Sequence, residues 1–71
     1  MAAASVCVQL NGRQESIIQG MTIESFLTER DINPDHVVVE INQTIIPRDQ
    51  FTEIAFKQDD QVEILRFVGG G

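Results

Sequence analysis

The sequence predicts one α+β domain, in which a single helix packs on one face of a mixed sheet of four or five strands. Three observations support this fold class. A strand-turn-strand pattern opens the chain, one amphipathic stretch follows it, and the later apolar residues lie in short β-branched runs. The 71 residues are enough for one domain and too few for two, since domains rarely fall below about 50 residues.

The first predicted element is a β-hairpin. Residues 6–10 alternate between apolar and more polar side chains, which is the period of a half-buried strand. Asn11-Gly12 follows at once, and this dipeptide favours a type I′ turn because both central residues of that turn need a positive φ. Residues 13–18 are then the return strand.

A short helix is predicted after Gly20. Thr22 is placed to cap its start, since the threonine hydroxyl can accept a bond from a backbone N–H that has no partner inside the helix. Asn33-Pro34 is expected to end the helix, because the residue before a proline is driven out of the α region. The residues at helical spacing that should face the core are Ile23, Phe26, Leu27 and the stem of Arg30.

The later strands are read from short apolar runs. Residues 37–41 form a β-branched run too short for a helix. Ile45-Ile46 can pair only briefly before Pro47, which lacks the N–H of a central strand, so this segment belongs at an edge. The remaining assignments are irregular core residues at Phe51, Ile54 and Phe56, a turn over residues 58–61, and the last strand over residues 62–68.

A hairpin, a crossing helix and later strands that return to the sheet make up the order of the β-grasp, or ubiquitin-like, fold. One helix cannot cover both faces of the sheet, so one face is expected to stay partly open. The domain prediction divides the chain into a disordered leader over residues 1–5, a β-grasp domain over residues 6–68, and a flexible glycine tail over residues 69–71.

Charge and cysteine content exclude several classes of function. Eleven acidic and five basic residues give a net charge of −6, the wrong sign for contacts with nucleic acid or an anionic membrane. The single cysteine cannot form an internal disulfide, as is typical of a reducing compartment. No apolar run approaches the roughly 20 residues of a membrane span. We therefore expect a cytoplasmic protein without nucleic-acid or membrane partners.

The sequence does not predict a self-sufficient enzyme. No Ser/His/Asp set, pair of cleft carboxylates or Cys/His cluster is visible. Cys7 has neither a resolving thiol nor an evident base, so it is interpreted as an inert strand thiol rather than a persulfide carrier. His36 has no second ligand at metal spacing, so neither a metal site nor a bound cofactor is expected in this chain.

The most informative feature is Gly69-Gly70-Gly71, directly after the last predicted strand. A glycine-rich phosphate loop would continue into a helix, which is not the case here. Residues without Cβ fit narrow channels, and three of them reach roughly 10 Å beyond the domain. The α-carboxylate of Gly71 would be ionised at neutral pH and could attack an activated phosphorus. Gly71 is therefore the expected chemical site. Val68, Gly69 and Gly70 are expected to contact the partner protein that activates this carboxylate.

A tail of this kind needs a docking surface on the domain. Ordering three glycines costs roughly 3–6 kcal/mol, at about 1–2 kcal/mol per residue, so the tail alone binds weakly. In the last strand Leu65 and Phe67 lie on the side opposite to Val62 and Ile64. If Val62 and Ile64 face the helix, Leu65 and Phe67 lie on the open face and are candidate anchors for a partner.

Several motifs together resemble the ThiS family of sulfur carriers. They are Asn11-Gly12, Val39-Glu-Ile-Asn42, Ile45-Ile-Pro-Arg48, Val62-Glu-Ile64 and the end Phe67-Val-Gly-Gly-Gly71. The resemblance covers the chain from Val6 onward, and the combination is more specific than a Gly-Gly end alone. The family commonly has Asp-Gly-Asp in the last turn, where this chain has Asp59-Asp60, so the departure concerns that turn and not the tail.

The resemblance implies a protein co-substrate rather than an enzyme. A ThiF-like adenylyltransferase, using ATP and Mg²⁺, would adenylate the carboxylate of Gly71. Sulfur from a cysteine desulfurase or another donor would then replace AMP and leave a thiocarboxylate. Thiazole synthase would take this sulfur to build the thiazole of thiamine.

Two other functions remain open at this point. The small subunit of molybdopterin synthase has the same fold and thiocarboxylate chemistry with a different sulfur acceptor, and is usually longer. A ubiquitin-like binding or modifier domain would instead end in an isopeptide bond or do no chemistry.

Two further residues have both a structural and a functional interpretation. Arg48 belongs to the family pattern, but an exposed arginine near Asp49 is more typical of local structure than of a partner contact. Asn42 is expected to serve the turn after the third strand.

Overall fold

The computed structural model describes residues 4–67, which form a five-stranded mixed sheet with one helix. The elements are β1 (Ser5–Leu10), β2 (Arg13–Ile18), α1 (Ile23–Glu29), β3 (Val37–Ile41), β4 (Thr44–Ile45) and β5 (Gln61–Arg66). The spatial order of the strands is β2-β1-β5-β3-β4. β1 and β5 are parallel, and the other neighbours are antiparallel. The predicted β-grasp fold is confirmed.

The hairpin forms as the sequence predicts. Asn11 and Gly12 have φ values of 50° and 82°, and Leu10 pairs with Arg13 across this two-residue loop. The expected boundary of the leader needs a correction at Ser5, which pairs with Ile18 as the first residue of β1. The strand starts there because the hairpin register continues to that point. Residues 1–3 lie outside the described residues.

The helix begins where it was predicted to begin. The Thr22 hydroxyl accepts a hydrogen bond from the backbone N–H of Ser25 at 3.2 Å, as an N-cap should. Ile23, Phe26 and Leu27 are buried, and the Arg30 guanidinium lies 4.5 Å from the centroid of the Phe26 ring. The predicted apolar stripe therefore faces the core, with the stem of Arg30 along it.

The prediction that Asn33-Pro34 ends the helix is wrong. The helix ends at Glu29, and Asp31 takes a φ of 59°. The N–H of Asp31 donates to the carbonyl of Thr28 at 3.1 Å, and the N–H of Ile32 donates to that of Leu27 at 2.9 Å. These two bonds define a Schellman motif, which satisfies the last helical carbonyls before the proline is reached. Pro34–His36 instead forms one turn of 3₁₀ helix.

The later strands match the predicted segments with two shifts of one residue. β3 has its predicted bounds, and the edge strand β4 is Thr44–Ile45 rather than the predicted Ile45-Ile46. β5 begins at Gln61, one residue earlier than predicted, and ends at Arg66 within the described part of the chain. Val68, the predicted end of this strand, lies outside the described residues.

The last turn, before β5, contains one residue with a left-handed backbone. This residue is Asp59, with a φ of 69°. The buried Asp60 carboxylate accepts bonds from the Lys57 N–H at 2.8 Å and from Asn42 Nδ2 at 3.0 Å. The Asn42 side chain also accepts from the N–H of Gln61 at 3.0 Å. An aspartate thus holds the conformation that a glycine would adopt more easily, and Asn42 ties this turn to the end of β3.

The core lies between the helix and one face of the sheet. Phe51 and Phe56, in the irregular segment after β4, are buried as predicted, and Phe56 packs edge-on against Phe26 with ring centroids 5.3 Å apart. Side chains that are essentially inaccessible to solvent come from every layer: Val8, Ile23, Leu27, Val39, Phe51 and Val62. No helix within residues 4–67 has the length and apolar character needed to cross a membrane.

Candidate functional site

In sequence, the predicted tail follows the central strand of the sheet, and it lies outside the described residues. β5 lies between β1 and β3, and it pairs with β3 from Val62 to Arg66 but with β1 only at Gln61 and Val62. Of the predicted site residues, Leu65 and Phe67 fall in the described part of the chain. Val68, Gly69, Gly70 and Gly71 lie outside it.

The two faces of β5 differ in burial. Val62 is buried and Ile64 packs against the core, so this set faces the helix. Leu65 and Phe67 retain 69% and 45% of their accessible surface, on the face that no helix covers. The alternation of side chains along a strand therefore places both on the open face, at the end of the described part of the chain.

Two residues that the sequence analysis did not single out extend this surface. Val38 lies directly opposite Leu65, and Ile45 lies opposite Glu40 on the same face with 63% of its surface exposed. We call Val38, Ile45, Leu65 and Phe67 the open-face patch. A hollow of about 380 Å³ opens at this patch, bounded by Val38, Ile45, Phe67 and the two prolines Pro34 and Pro47. The alternation of β3, with Val37 and Val39 inward, was the available signal for Val38.

Two acidic residues adjoin the open-face patch. Glu40 of β3 and Glu63 of β5 are directly opposite each other in the antiparallel register. Like charges in such a pair repel, so this arrangement costs stability rather than adding to it. The pair gives the surface beside the patch a negative potential that suits a partner with basic residues at the rim of its interface.

Hydrogen bonds hold β5 on the β1 side as far as Ile64 and on the β3 side as far as Phe67. On one side the N–H of Phe67 donates to the carbonyl of His36 at 3.1 Å. On the other side, Asn11 Oδ1 accepts from the N–H of Ile64 at 2.9 Å, and Asn11 Nδ2 donates to the Ile64 carbonyl at 3.2 Å. The Asn11 amide thus substitutes for one more residue of β1. The sequence predicts only the turn role of Asn11, because a contact spanning 53 residues leaves no local signal.

Arg48 serves local structure, with partners other than the expected Asp49. Its Nε donates to Asp35 at 2.8 Å and its NH1 to Glu24 at 3.1 Å, and the guanidinium lies 5.1 Å from the centroid of the Phe51 ring. The hydrogen bond to Asp35 raises the pKa of Arg48 further above its ordinary high value. Arg48 therefore links the segment after β4 to the start of α1 and to the 3₁₀ turn.

The described residues are suited to binding and orienting, and they show no set of converging catalytic groups. Within residues 4–67, no three His, Cys, Asp or Glu side chains come together as metal ligands would. Cys7 is half-buried on β1 and accepts a hydrogen bond from Gln14, and His36 is exposed. The geometry is that of a five-stranded platform with exposed apolar side chains on one face at the end of its central strand.

Comparison with known proteins gives consistent results. A sequence model of the ThiS family matches residues 8–71. The sulfur carrier protein ThiS of Bacillus subtilis is 34% identical over 65 residues, covering 90% of this chain and 98% of that protein. The crystal structure of the thiamine biosynthesis protein ThiS from Geobacter metallireducens has a TM-score of 0.77 at 26% identity, covering 93% of this chain and all of that one.

A further similarity is to part of a longer protein. Thiazole synthase of Magnetococcus marinus is 33% identical over 64 residues, which is 90% of this chain and 20% of that protein. The chain therefore spans about a fifth of the length of this relative. Since the family model covers nearly the whole sequence, and the fold agrees with a solved ThiS structure, the chain belongs to the ThiS family.

Proposed function

We propose that this chain is a sulfur carrier, which delivers sulfur as a thiocarboxylate at Gly71 to thiazole formation in thiamine biosynthesis. The observation that carries the proposal is the family match, which extends from residue 8 through the last glycine. The β5 platform supports it, because a carrier must hold its reactive end at a fixed place relative to a docking surface.

The chemistry proceeds in two steps on partner enzymes. In the first, an oxygen of the Gly71 carboxylate attacks the α-phosphorus of ATP, and pyrophosphate leaves. In the second, hydrosulfide attacks the acyl carbon, the bond to AMP breaks, a proton is lost to solvent, and a thiocarboxylate remains. Where the donor is a persulfide, the same attack gives an acyl disulfide, and a thiol then reduces its S–S bond to release the thiocarboxylate. The partner supplies ATP and Mg²⁺, so the chain is a co-substrate and no cofactor of its own is proposed. Glycine at the last positions suits this role because a side chain would obstruct entry to a narrow active site.

Three partners follow from the proposal. A ThiF-like adenylyltransferase activates Gly71 and docks on the open-face patch. A cysteine desulfurase or another donor supplies the sulfur. Thiazole synthase receives it, and the relative of that name that contains a region similar to this chain supports this acceptor. The single cysteine and the absence of any possible internal disulfide suit a place in the reducing cytoplasm.

Intact mass spectrometry tests the proposed chemistry. The chain is incubated with a ThiF-like enzyme, MgATP and sulfide, and its mass is compared with that of a sample lacking ATP. The proposal predicts a gain equal to the exchange of one oxygen for sulfur, located at Gly71 by fragmentation. A lysine-linked adduct would instead support a modifier, and an unchanged mass with an enzyme that activates its own carrier would refute the proposal.

The acceptor is tested with the thiocarboxylate form itself. It is supplied separately to thiazole synthase and to the large subunit of molybdopterin synthase, each with its other substrates. Sulfur should appear in the thiazole product at a rate far above that for the molybdopterin product. The reverse preference would assign the chain to molybdopterin synthesis while leaving the carrier chemistry intact.

A further inference from the structure

The end of β5 has a backbone edge without a partner among residues 4–67. The N–H of Phe67 donates to His36, so the hydrogen-bonded pairs of the antiparallel ladder with β3 include Leu65 and Phe67. The N–H and C=O of the intervening Arg66 therefore point toward the β1 side. β1 ends at Leu10, and Asn11 reaches only as far as Ile64. The pair of Arg66 with Val37 is of the non-hydrogen-bonded kind, and within residues 4–67 no turn, loop or side-chain group bonds the backbone N–H or C=O of Arg66.

The free edge borders a groove on the helix side of the sheet. The groove has a volume of about 380 Å³ and lies between the end of β5 and the C-terminal end of α1. Its floor is apolar and consists of Leu10, Phe26, Ile32 and Ile64. Asn11 lies on its lining as well, at the point where β1 stops. A volume of this size is within the usual range of ligand sites and accommodates a few side chains.

The charge around the groove is opposite to that of the molecule. Arg30 and Arg66 line it, and Arg13 lies opposite the floor residue Leu10 at the end of the hairpin. These are three of the five basic residues in a chain of net charge −6. Arg30 is already paired with Glu15, whereas Arg66 forms no ion pair within the described part of the chain. Arg66 is thus an exposed cation beside an apolar floor and a free backbone edge.

We propose that this groove binds an extended segment of a partner protein, which adds to the sheet as a short strand beside Arg66 and carries both apolar and acidic side chains. The backbone of the segment would take the free N–H and C=O of Arg66, as in β-strand addition. An apolar side chain would cover Phe26 and Ile64, and a carboxylate would pair with the Arg66 guanidinium.

The groove is on the opposite face of the sheet from the open-face patch, so one partner can occupy both or two partners can bind together. Contact at Arg66 would hold the last described strand residue before the tail. This surface goes beyond the proposed sulfur chemistry and does not depend on it, since it needs no reaction at Gly71.

A peptide titration followed by ¹H–¹⁵N NMR tests the inference on the full chain. The probe is the acetylated and amidated hexapeptide Val-Thr-Glu-Thr-Val-Thr, whose valines and glutamate share one face of a strand. The control is the same peptide with lysine in place of glutamate. The glutamate peptide should shift the amide signals of Ile64 and Arg66 at millimolar concentration and should slow the hydrogen exchange of the Arg66 amide.

Charge variants complete the test. Arg66→Glu should weaken binding of the glutamate peptide by about tenfold or more, which corresponds to about 1.4 kcal/mol. Lys57→Glu makes the same change of charge at an exposed site outside the groove and should leave binding unchanged. Equal binding of the two peptides, shifts confined to the open-face patch, or no shift at millimolar peptide would each overturn the inference.

Discussion

Asn11 connects three strands through one residue. Its left-handed backbone closes the turn between β1 and β2, its N–H donates to the Val62 carbonyl at 2.9 Å, and its side chain binds both backbone groups of Ile64. Local turn chemistry explains only the first of these contacts. The other two fix β5 close to its last described residues, so Asn11 is a positioning residue for the end of this strand.

Replacing Asn11 by glycine removes the side-chain hydrogen bonds to Ile64 and leaves the turn intact. Glycine keeps the positive φ but loses both side-chain bonds, so the free energy of unfolding should fall by about 1 kcal/mol. Asn11→Asp is the matched variant, because a carboxylate still accepts from the Ile64 N–H. Urea unfolding and amide exchange provide the readouts: Ile64 should lose protection in the glycine variant and keep it in the aspartate variant. Equal protection of Ile64 in all three proteins would show that the Asn11 side chain does not hold Ile64 in place.

Asp59 offers a second test at the residue scale. An L-residue in the left-handed region is strained by about 1–2 kcal/mol, and glycine removes that strain at an entropic cost of about 0.5–1 kcal/mol. Asp59→Gly should therefore stabilise the domain by about 0.5–1 kcal/mol in urea unfolding. Asp49→Gly removes the same charge at a residue without a positive φ and should destabilise it. A loss of stability in Asp59→Gly would show that the aspartate itself supports the turn.

At the scale of elements, β3 and β5 together carry the surface that we assign to docking. Their register places Val38 beside Leu65 and Glu40 beside Glu63, so an apolar pair and a like-charge pair adjoin on one face. Neither pair adds to the core. Exposed apolar side chains beside repelling charges are expensive for an isolated domain and useful to one that binds a partner.

Neutralising one charge of this pair should separate folding from binding. Glu63→Gln should raise the free energy of unfolding by about 0.2–1 kcal/mol, because it removes a like-charge contact. The same variant should slow association with the activating enzyme, since charges at the rim of an interface act mainly on the association rate. Glu53→Gln, at an exposed site in another segment, is the matched control. Unchanged association in Glu63→Gln would remove the acidic pair from the docking surface.

The apolar part of the surface is tested by Phe67→Asp. The variant should remain folded, because Phe67 keeps 45% of its surface exposed, and should lose activation, measured as pyrophosphate release by the adenylyltransferase. Ile18→Asp is the matched control. Ile18 is 52% exposed on the same open face, but it lies in the edge strand β2, away from the open-face patch. Normal turnover of the Phe67 variant would place the docking surface elsewhere.

Predictions for the elements succeeded where a local pattern decides the structure. The Asn-Gly turn, the Thr22 cap and the alternation of β3 each depend on residues close in sequence. The end of α1 was missed because the left-handed position of its Schellman motif is occupied by Asp31. A glycine at that position would have marked the helix end in the sequence. Ser5 was missed because its place in β1 depends on pairing with Ile18 across the hairpin.

At the scale of the whole molecule, the domain has two unlike surfaces around one central strand. The open face has an apolar patch with acidic neighbours, and the helix face has a groove with basic neighbours. The alternation of β5 made the first surface predictable from the sequence. The second was not predictable, because it arises where β1 stops short of β5 and where the end of α1 faces that gap.

The central claim is that the carboxylate of Gly71 carries the sulfur. The most direct test converts that carboxylate to a carboxamide and compares the two chains in thiazole formation, reconstituted with the adenylyltransferase, a sulfur donor and thiazole synthase. The unmodified chain should transfer sulfur to the product, and the amide should transfer none while still docking on the adenylyltransferase. Sulfur transfer by the amide at the rate of the unmodified chain would contradict the account.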